Sequence, residues 1–158
     1  MVKPNTNCTK LRAIYPGSFD PIHEGHINVI KRSSVLFDKL YVAVSHNVDK
    51  VKQTDIDSRF YQVRKTIKKL NLKNVEVVKN TGLTIKFAKK LKCNFIVRGL
   101  RNVNDYKYEL NMAKIHKMLD ASIDTILFIT CKELSKKSST NIRAIQAKLD
   151  KLNNKNKG

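Results

Sequence analysis

Two histidines three residues apart close the stretch Tyr15-Pro16-Gly17-Ser18-Phe19-Asp20-Pro21-Ile22-His23-Glu24-Gly25-His26. Pro21 fixes its own φ and biases Asp20 away from helical dihedrals, so a helix can begin only near Glu24. His23 and His26 then sit at its first turn, where free N–H groups and a partial positive charge suit a phosphate. Gly17, lacking a Cβ, lets the chain turn and lets backbone N–H groups approach a ligand. A second cluster, Arg98-Gly99-Leu100-Arg101, sets two arginines three apart, able to bracket a polyphosphate with planar, permanently charged forks. In a third, Leu134-Ser135-Lys136-Lys137-Ser138-Ser139-Thr140, hydroxyls can cap a helix whose N–H groups also bind phosphate. Lys50 stands in a polar stretch where lysines are usually just solvated. No Ser/His/Asp or Cys/His constellation offers a protein nucleophile, so the chemistry on offer is the electrostatic handling of anions.

The frame for these residues follows from periodicity. Residues 11–14 read as a strand, and 25–37 as a helix with Ile27, Ile30, Ser34 and Phe37 on one face. Strands are expected at 39–45, 74–79, 94–97 and 125–129. Helices are expected at 57–70 (Phe60, Val63, Ile67 and Leu70 inward), 83–91, 104–119 and 138–152. This alternation predicts an α/β domain with a five-stranded, mostly parallel sheet flanked by helices. Ligands in such sheets bind beyond the strands' carboxyl ends. Residues 15–26, Lys50, 81–84, 98–101 and 134–140 all fall there.

At 158 residues the chain holds one domain. The expected division is a polar arm at 1–10, the domain at 11–152 and a Lys/Asn-rich tail at 153–158. No apolar window is long enough to span a membrane, and the first ten residues have no secretory h-region. Cys8, Cys93 and Cys131 are scattered, which argues against a disulfide framework or zinc site and fits a cytoplasmic protein. The net charge of +19 invites an acidic partner, nucleic acid or a phosphorylated small molecule. Its lysines are spread over every expected helix, however, which reads as solvated faces. A basic nucleic-acid-binding module is the alternative of another class, but the chain has no groove-reading or stacking motif and no specific nucleic acid is expected.

His23-x-Gly25-His26 after a strand resembles the H/T-x-G-H signature of the nucleotidyltransferase superfamily. Tyr-Pro-Gly-Ser-Phe-Asp-Pro resembles the phosphopantetheine adenylyltransferases within it. Arg98-Gly99-Leu100-Arg101 with Asp105-Tyr106-Lys107-Tyr108-Glu109 is similar to that family's R-G-L-R-x-x-x-D-[FY]-x-Y-E run, and 135–143 resembles the superfamily's I-S-S-T/S-x-x-R/K signature. The resemblance covers about residues 12–147. Departures are His23, where this family more often has Thr, Leu134 in place of a frequent Trp, Lys137 in place of Ile, and the Lys/Asn stretch at the C-terminal end.

The resemblance implies a Rossmann-like domain with the first and fourth strands adjacent. It implies transfer of the adenylyl group of ATP to 4′-phosphopantetheine, giving dephospho-coenzyme A and pyrophosphate. The nucleophile is then a phosphate oxygen, largely dianionic because a phosphomonoester's second pKa is about 6, so no general base is needed. Three residues take the catalytic roles: His26 stabilises the transition state, while Lys50 and Arg98 hold the attacking phosphate. ATP falls to Ser18, Phe19, His26, Gly99, Leu100, Arg101, Glu109, Leu134, Ser135, Lys136, Lys137, Ser138, Ser139 and Thr140. The acceptor falls to Ser18, Lys50, Thr84 and Arg98. Mg²⁺ arrives on the ATP phosphates without protein ligands, and the assembly is a homo-oligomer, a hexamer in the family. Rivals within the superfamily are a nicotinamide-mononucleotide adenylyltransferase or a cytidylyltransferase, against which the 98–109 run discriminates. Leu134 to Ser138 faintly echoes a class I aminoacyl-tRNA synthetase, but the length leaves no room for tRNA recognition.

Overall fold

The computed structural model describes residues 10–46, 53–130 and 147–148. Five strands and four helices alternate along it: β1 (Arg12–Gly17), α1 (Glu24–Leu36), β2 (Lys39–Ser45), α2 (Ile56–Leu70), β3 (Val75–Asn80), α3 (Thr84–Lys90), β4 (Phe95–Leu100), α4 (Val103–Leu119) and β5 (Asp124–Ile129). The strands form one sheet in the order β3-β2-β1-β4-β5. Every neighbouring pair is parallel, so the expectation of a mostly parallel sheet becomes a wholly parallel one, with β1 beside β4.

Sheet burial on both faces explains the apolar runs in the strands. Ala13, Tyr15, Val42, Val44 and Val97 pack with Val29 and Ile30 of α1 and Val63 and Ile67 of α2. Ile14, Ala43 and Ile96 point the other way, against Ile85 and Ala88 of α3 with Cys93 and Ile123. Each fully buried Val, Leu or Ile contributes roughly 1.5–3 kcal/mol. The helices begin on side-chain caps where the sequence supplies them. Asp55 accepts from the N–H groups of Asp57 (2.7 Å) and Ser58 (3.1 Å) to start α2, and Asn102 accepts from that of Asp105 (2.9 Å) to start α4.

Two expectations shift. On the expected face of α1, Ile30 and Phe37 are buried as predicted, but Val29 and Ser33 are buried in place of Ile27 and Ser34, which are half-buried. Strands β1 and β4 run three residues further than expected, because pairing with β2 and β5 continues through Gly17 and Leu100. Arg98, Gly99 and Leu100 therefore belong to a strand, not to the loop after it. Cys93 is buried, and its thiol is pushed up to about 11, chiefly by that burial. The arm at 1–9, Cys8, Cys131, the helix predicted at 138–152 and the tail lie outside the described residues, apart from 147–148, which are helical. Among the described residues no helix is long and apolar enough to cross a membrane.

The ladder between β1 and β4 is short. Only Ala13 and Ile14 pair with Phe95 and Ile96, whereas β1 pairs with β2, and β4 with β5, along their whole lengths. Beyond Ile14 the two central strands part. A crevice opens at their carboxyl ends, at the point where strand order reverses.

Candidate functional site

One side of the crevice is built on the first turn of α1. His23 is its N-cap: its Nδ1 accepts from the Gly25 N–H at 3.2 Å, while His26 Nδ1 accepts from the His23 N–H at 3.2 Å. This is a reciprocal capping box with imidazoles in place of the usual hydroxyl and carboxylate. The rings stack with centroids 3.7 Å apart. An accepting Nδ1 carries no proton in the neutral ring, so in both histidines the proton is assigned to Nε2, leaving Nε2–H as the donor. His26 also packs edge-on against Phe19, at 4.9 Å between centroids.

Phe19 anchors the loop between β1 and α1. Its ring is wholly buried and meets Tyr15 edge-on at 5.4 Å. It also folds back over Gly17, where an added Cβ would lie 2.9 Å from Phe19 Cζ. Gly17 is thus required by steric contact. The turn itself is made at Phe19, whose φ of 47° lies in the left-handed region that bulky residues avoid. Asp20 steadies the loop by accepting from the Thr54 N–H at 2.8 Å.

The other side is Arg98 on β4. Its Nε donates to both carboxylate oxygens of Glu109 (3.0 and 2.9 Å) and Nη2 to Glu109 Oε1 (2.6 Å). Nη1 crosses the crevice to the Pro16 carbonyl at 2.7 Å, bridging the strands where their own ladder has stopped. The Glu109 side chain is 6% exposed, so the pair is largely shielded from screening. Tyr15 lies in the same electrostatic neighbourhood. Burial pushes its hydroxyl up to about 12 against the lowering effect of Arg98, so it stays protonated at working pH. Arg101 is more exposed and is held by Asp105, which accepts from its Nε at 2.9 Å and its backbone N–H at 3.1 Å. That carboxyl is held below its ordinary value by hydrogen bonding and charge from Arg101, against its partial burial. Helix α4 therefore aims both arginines. Between its start and the ends of β4 and β5 lies a cavity of about 300 Å³, lined by Leu100, Arg101, Asn102, Val103, Tyr106 and Ile129.

The structure thus gathers Ser18, Phe19, His26, Arg98, Gly99, Leu100, Arg101 and Glu109 around the β1–β4 crevice. Thr84 stands apart, as the first residue of α3 beyond β3; the N-cap there is Leu83, with no side-chain bond, so Thr84 does not cap the helix. Lys50 and Leu134, Ser135, Lys136, Lys137, Ser138, Ser139 and Thr140 lie outside the described residues. The sequence reading gives Tyr15 no role beyond heading the signature stretch, and it does not single out Arg59. Arg59, 1% exposed, donates to the carbonyls of Ser18, Ser45 and Thr54. Its signal was there: Arg59, Val63 and Ile67 recur at every fourth position on the buried stripe of α2.

Comparison with known proteins shows the family to which the chain belongs. The cytidylyltransferase-like family matches residues 14–145. The phosphopantetheine adenylyltransferase of Mycoplasma capricolum is 43% identical over 135 residues, which cover 85% of this chain and 95% of the relative. That of Clostridium botulinum strain Alaska E43 is 41% identical over 133 residues, 84% of this chain and 82% of the relative. Among solved structures, a lipopolysaccharide core biosynthesis protein from Thermoplasma volcanium superposes with a TM-score of 0.54 at 25% identity, covering 77% of this chain and 96% of that one. On the strength of these relatives, covered over most of their length, the chain belongs to the phosphopantetheine adenylyltransferase family.

Proposed function

We propose that the chain transfers the adenylyl group of ATP to 4′-phosphopantetheine, releasing pyrophosphate and giving dephospho-coenzyme A. The observation that carries this reading is the crevice at the β1–β4 switch point, with His26 on one wall and Arg98 on the other. The reaction brings two anions together and builds charge on a five-coordinate α-phosphorus. It needs positioned cations and N–H donors more than a base or a nucleophile. His26 Nε2–H donates to the oxygens on which that charge grows. Arg98, oriented by Glu109, holds the attacking phosphate with the N–H groups not engaged by Glu109 and Pro16, and Lys50 joins it. Ser18, Phe19, Gly99 and Arg101 take the ATP phosphates with Ser135, Lys136, Lys137, Ser138, Ser139 and Thr140. The cavity beside Leu100 takes the base, and Glu109 and Leu134 serve ATP as well. Thr84 meets the pantetheine arm.

Mg²⁺ enters with ATP. The carboxylates of the described site residues, Glu109 and Asp105, are engaged by Arg98 and Arg101, which fits an ion ligated by phosphate oxygens. We also propose a cytoplasmic homo-oligomer. Apolar side chains left open on α4, among them Val103, Met118 and Leu119, support a face covered by another copy.

With ATP and Mg²⁺, purified protein is expected to release pyrophosphate when given 4′-phosphopantetheine, and little when given nicotinamide mononucleotide or glycerol 3-phosphate. Comparable turnover with either of the latter overturns the assignment of the acceptor.

A further inference from the structure

We propose that Arg59 is a positioning residue that holds the Ser18–Phe19 peptide in the orientation presenting the Phe19 N–H to the anionic ligand. The inference rests on the reading of Ser18 and Phe19 as part of the ATP site. Arg59 is the bulkiest fully buried side chain among the described residues. Its hydrogen-bond partners among the described residues are all backbone oxygens: Nη1 to Ser18 at 2.6 Å and Ser45 at 2.8 Å, and Nε to Thr54 at 2.8 Å. One guanidinium thereby ties the loop after β1, the last residue of β2 and the residue just before the cap of α2. A planar fork can hold three acceptors on two edges, and a single ammonium cannot match it.

The bond to Ser18 has a consequence one atom along the chain. The Ser18–Phe19 peptide is trans, since the cis bond recorded in the backbone is Asp20–Pro21. In a trans peptide the N–H lies opposite the carbonyl. Fixing the Ser18 oxygen on Arg59 therefore directs the Phe19 N–H the other way. That N–H has no hydrogen-bond partner among the described residues. The orientation is not the relaxed one. It gives Phe19 a φ of 47°, which costs free energy for a residue with a Cβ and persists only where the surroundings enforce it. A half-turn of this one peptide returns Phe19 to negative φ. It also takes the Ser18 carbonyl off Arg59 and puts an oxygen where the N–H had been, facing the phosphates with the wrong sign. The Phe19 ring is pinned by Gly17, Tyr15 and His26, so the peptide is the part left to move.

Arg59→Lys and Arg59→Met test this, read by crystal structure, melting temperature and kinetics with ATP and 4′-phosphopantetheine. In Arg59→Lys the peptide is expected to flip, with Phe19 at negative φ. Turnover normalised to folded protein should fall by about 10²-fold, as for loss of one donor to a developing negative charge. Arg59→Met should match or exceed this loss; if it does not fold, the lysine variant decides alone. A lysine variant with the peptide unmoved overturns the proposal, whatever its activity. So does a flipped peptide with turnover intact, as a merely structural arginine predicts. A wild-type protein without turnover refutes the adenylyl-transfer reading separately, and the variant's crystal structure still decides whether Arg59 sets the peptide.

Discussion

His23 and His26 share one backbone device, each accepting an N–H on Nδ1, yet they stand differently toward a ligand. His23 is the cap itself, so its ring is occupied in starting the helix. His26 sits a turn inside the crevice wall, backed by Phe19 and Tyr15, with Nε2–H as its donor. Replacing His26 by Ala should lower kcat by roughly 10²–10³ with ATP affinity largely kept, the signature of a contact made in the transition state. The lost cap acceptor adds a cost of about 1 kcal/mol in stability. His23→Thr should be mild, because a threonine hydroxyl can accept the same N–H. Steady-state kinetics with ATP affinity measured separately checks both; equal damage from the two changes, or a pure KM effect at His26, would place the loop in binding alone. The role of His26 could be proposed from its spacing and the family signature. The tautomer could not, because it depends on an N–H three residues back that only the folded turn brings to it.

At the scale of elements, α3 and α4 are tied at their ends by one carboxylate. Asp120, the C-cap of α4, accepts from the Ser122 hydroxyl at 2.6 Å and N–H at 3.0 Å, and pairs with Lys89 of α3 at 3.1 Å. The Ser122 bonds chiefly, with Lys89 adding to them, hold its carboxyl at about 2. A folded pKa below the unfolded one means stability that is fully present above about pH 4 and lost as pH falls through about 2. Asp120→Asn should therefore melt earlier than wild type at neutral pH, and the gap should close between about pH 4 and pH 2. A gap that stays constant in calorimetry across that range would show that the charge plays no part. Most of the element pattern was legible, because strands buried on two faces and helices buried on one leave different periods. The end of β4 was not. Arg98-Gly99 reads as a turn, and only the register with Leu127, Phe128 and Ile129 shows the strand continuing through it. Arg59 stayed hidden for a related reason: a charged residue beside Phe60 reads as the solvated edge of the helix until the carbonyls around it are seen.

For the molecule as a whole, the net charge of +19 and the crevice make separable claims. Glu109 and Asp105 at the crevice are engaged by Arg98 and Arg101, while the surplus lysines are distributed over the helices. Binding to a short oligonucleotide should therefore be salt-sensitive and lack sequence preference, fading between about 50 and 200 mM salt by counterion release. Thermal stabilisation by ATP with Mg²⁺ should persist across that range, since it depends on placed donors as well as charge. Oligonucleotide binding that survives at the higher salt, with no shift from ATP, would favour a nucleic-acid role. The fold class was legible at this scale from alternation alone. The brevity of the β1–β4 ladder was not, because nothing in either strand's composition says where two neighbours stop pairing.

That short ladder also bears on how the family can change its substrates. Where Ala13 and Ile14 stop pairing with Phe95 and Ile96, the crevice is bridged by a side chain, Arg98, meeting a main-chain oxygen at residue 16. The bridge asks nothing of the side chain at 16, and it lies outside the two apolar clusters that hold the sheet together. If Arg98 holds the acceptor as proposed, residues 98 and 109 can be exchanged as a coupled pair to change what the crevice accepts, with both apolar clusters left intact. Selectivity and folding would then rest on different side chains of the same sheet.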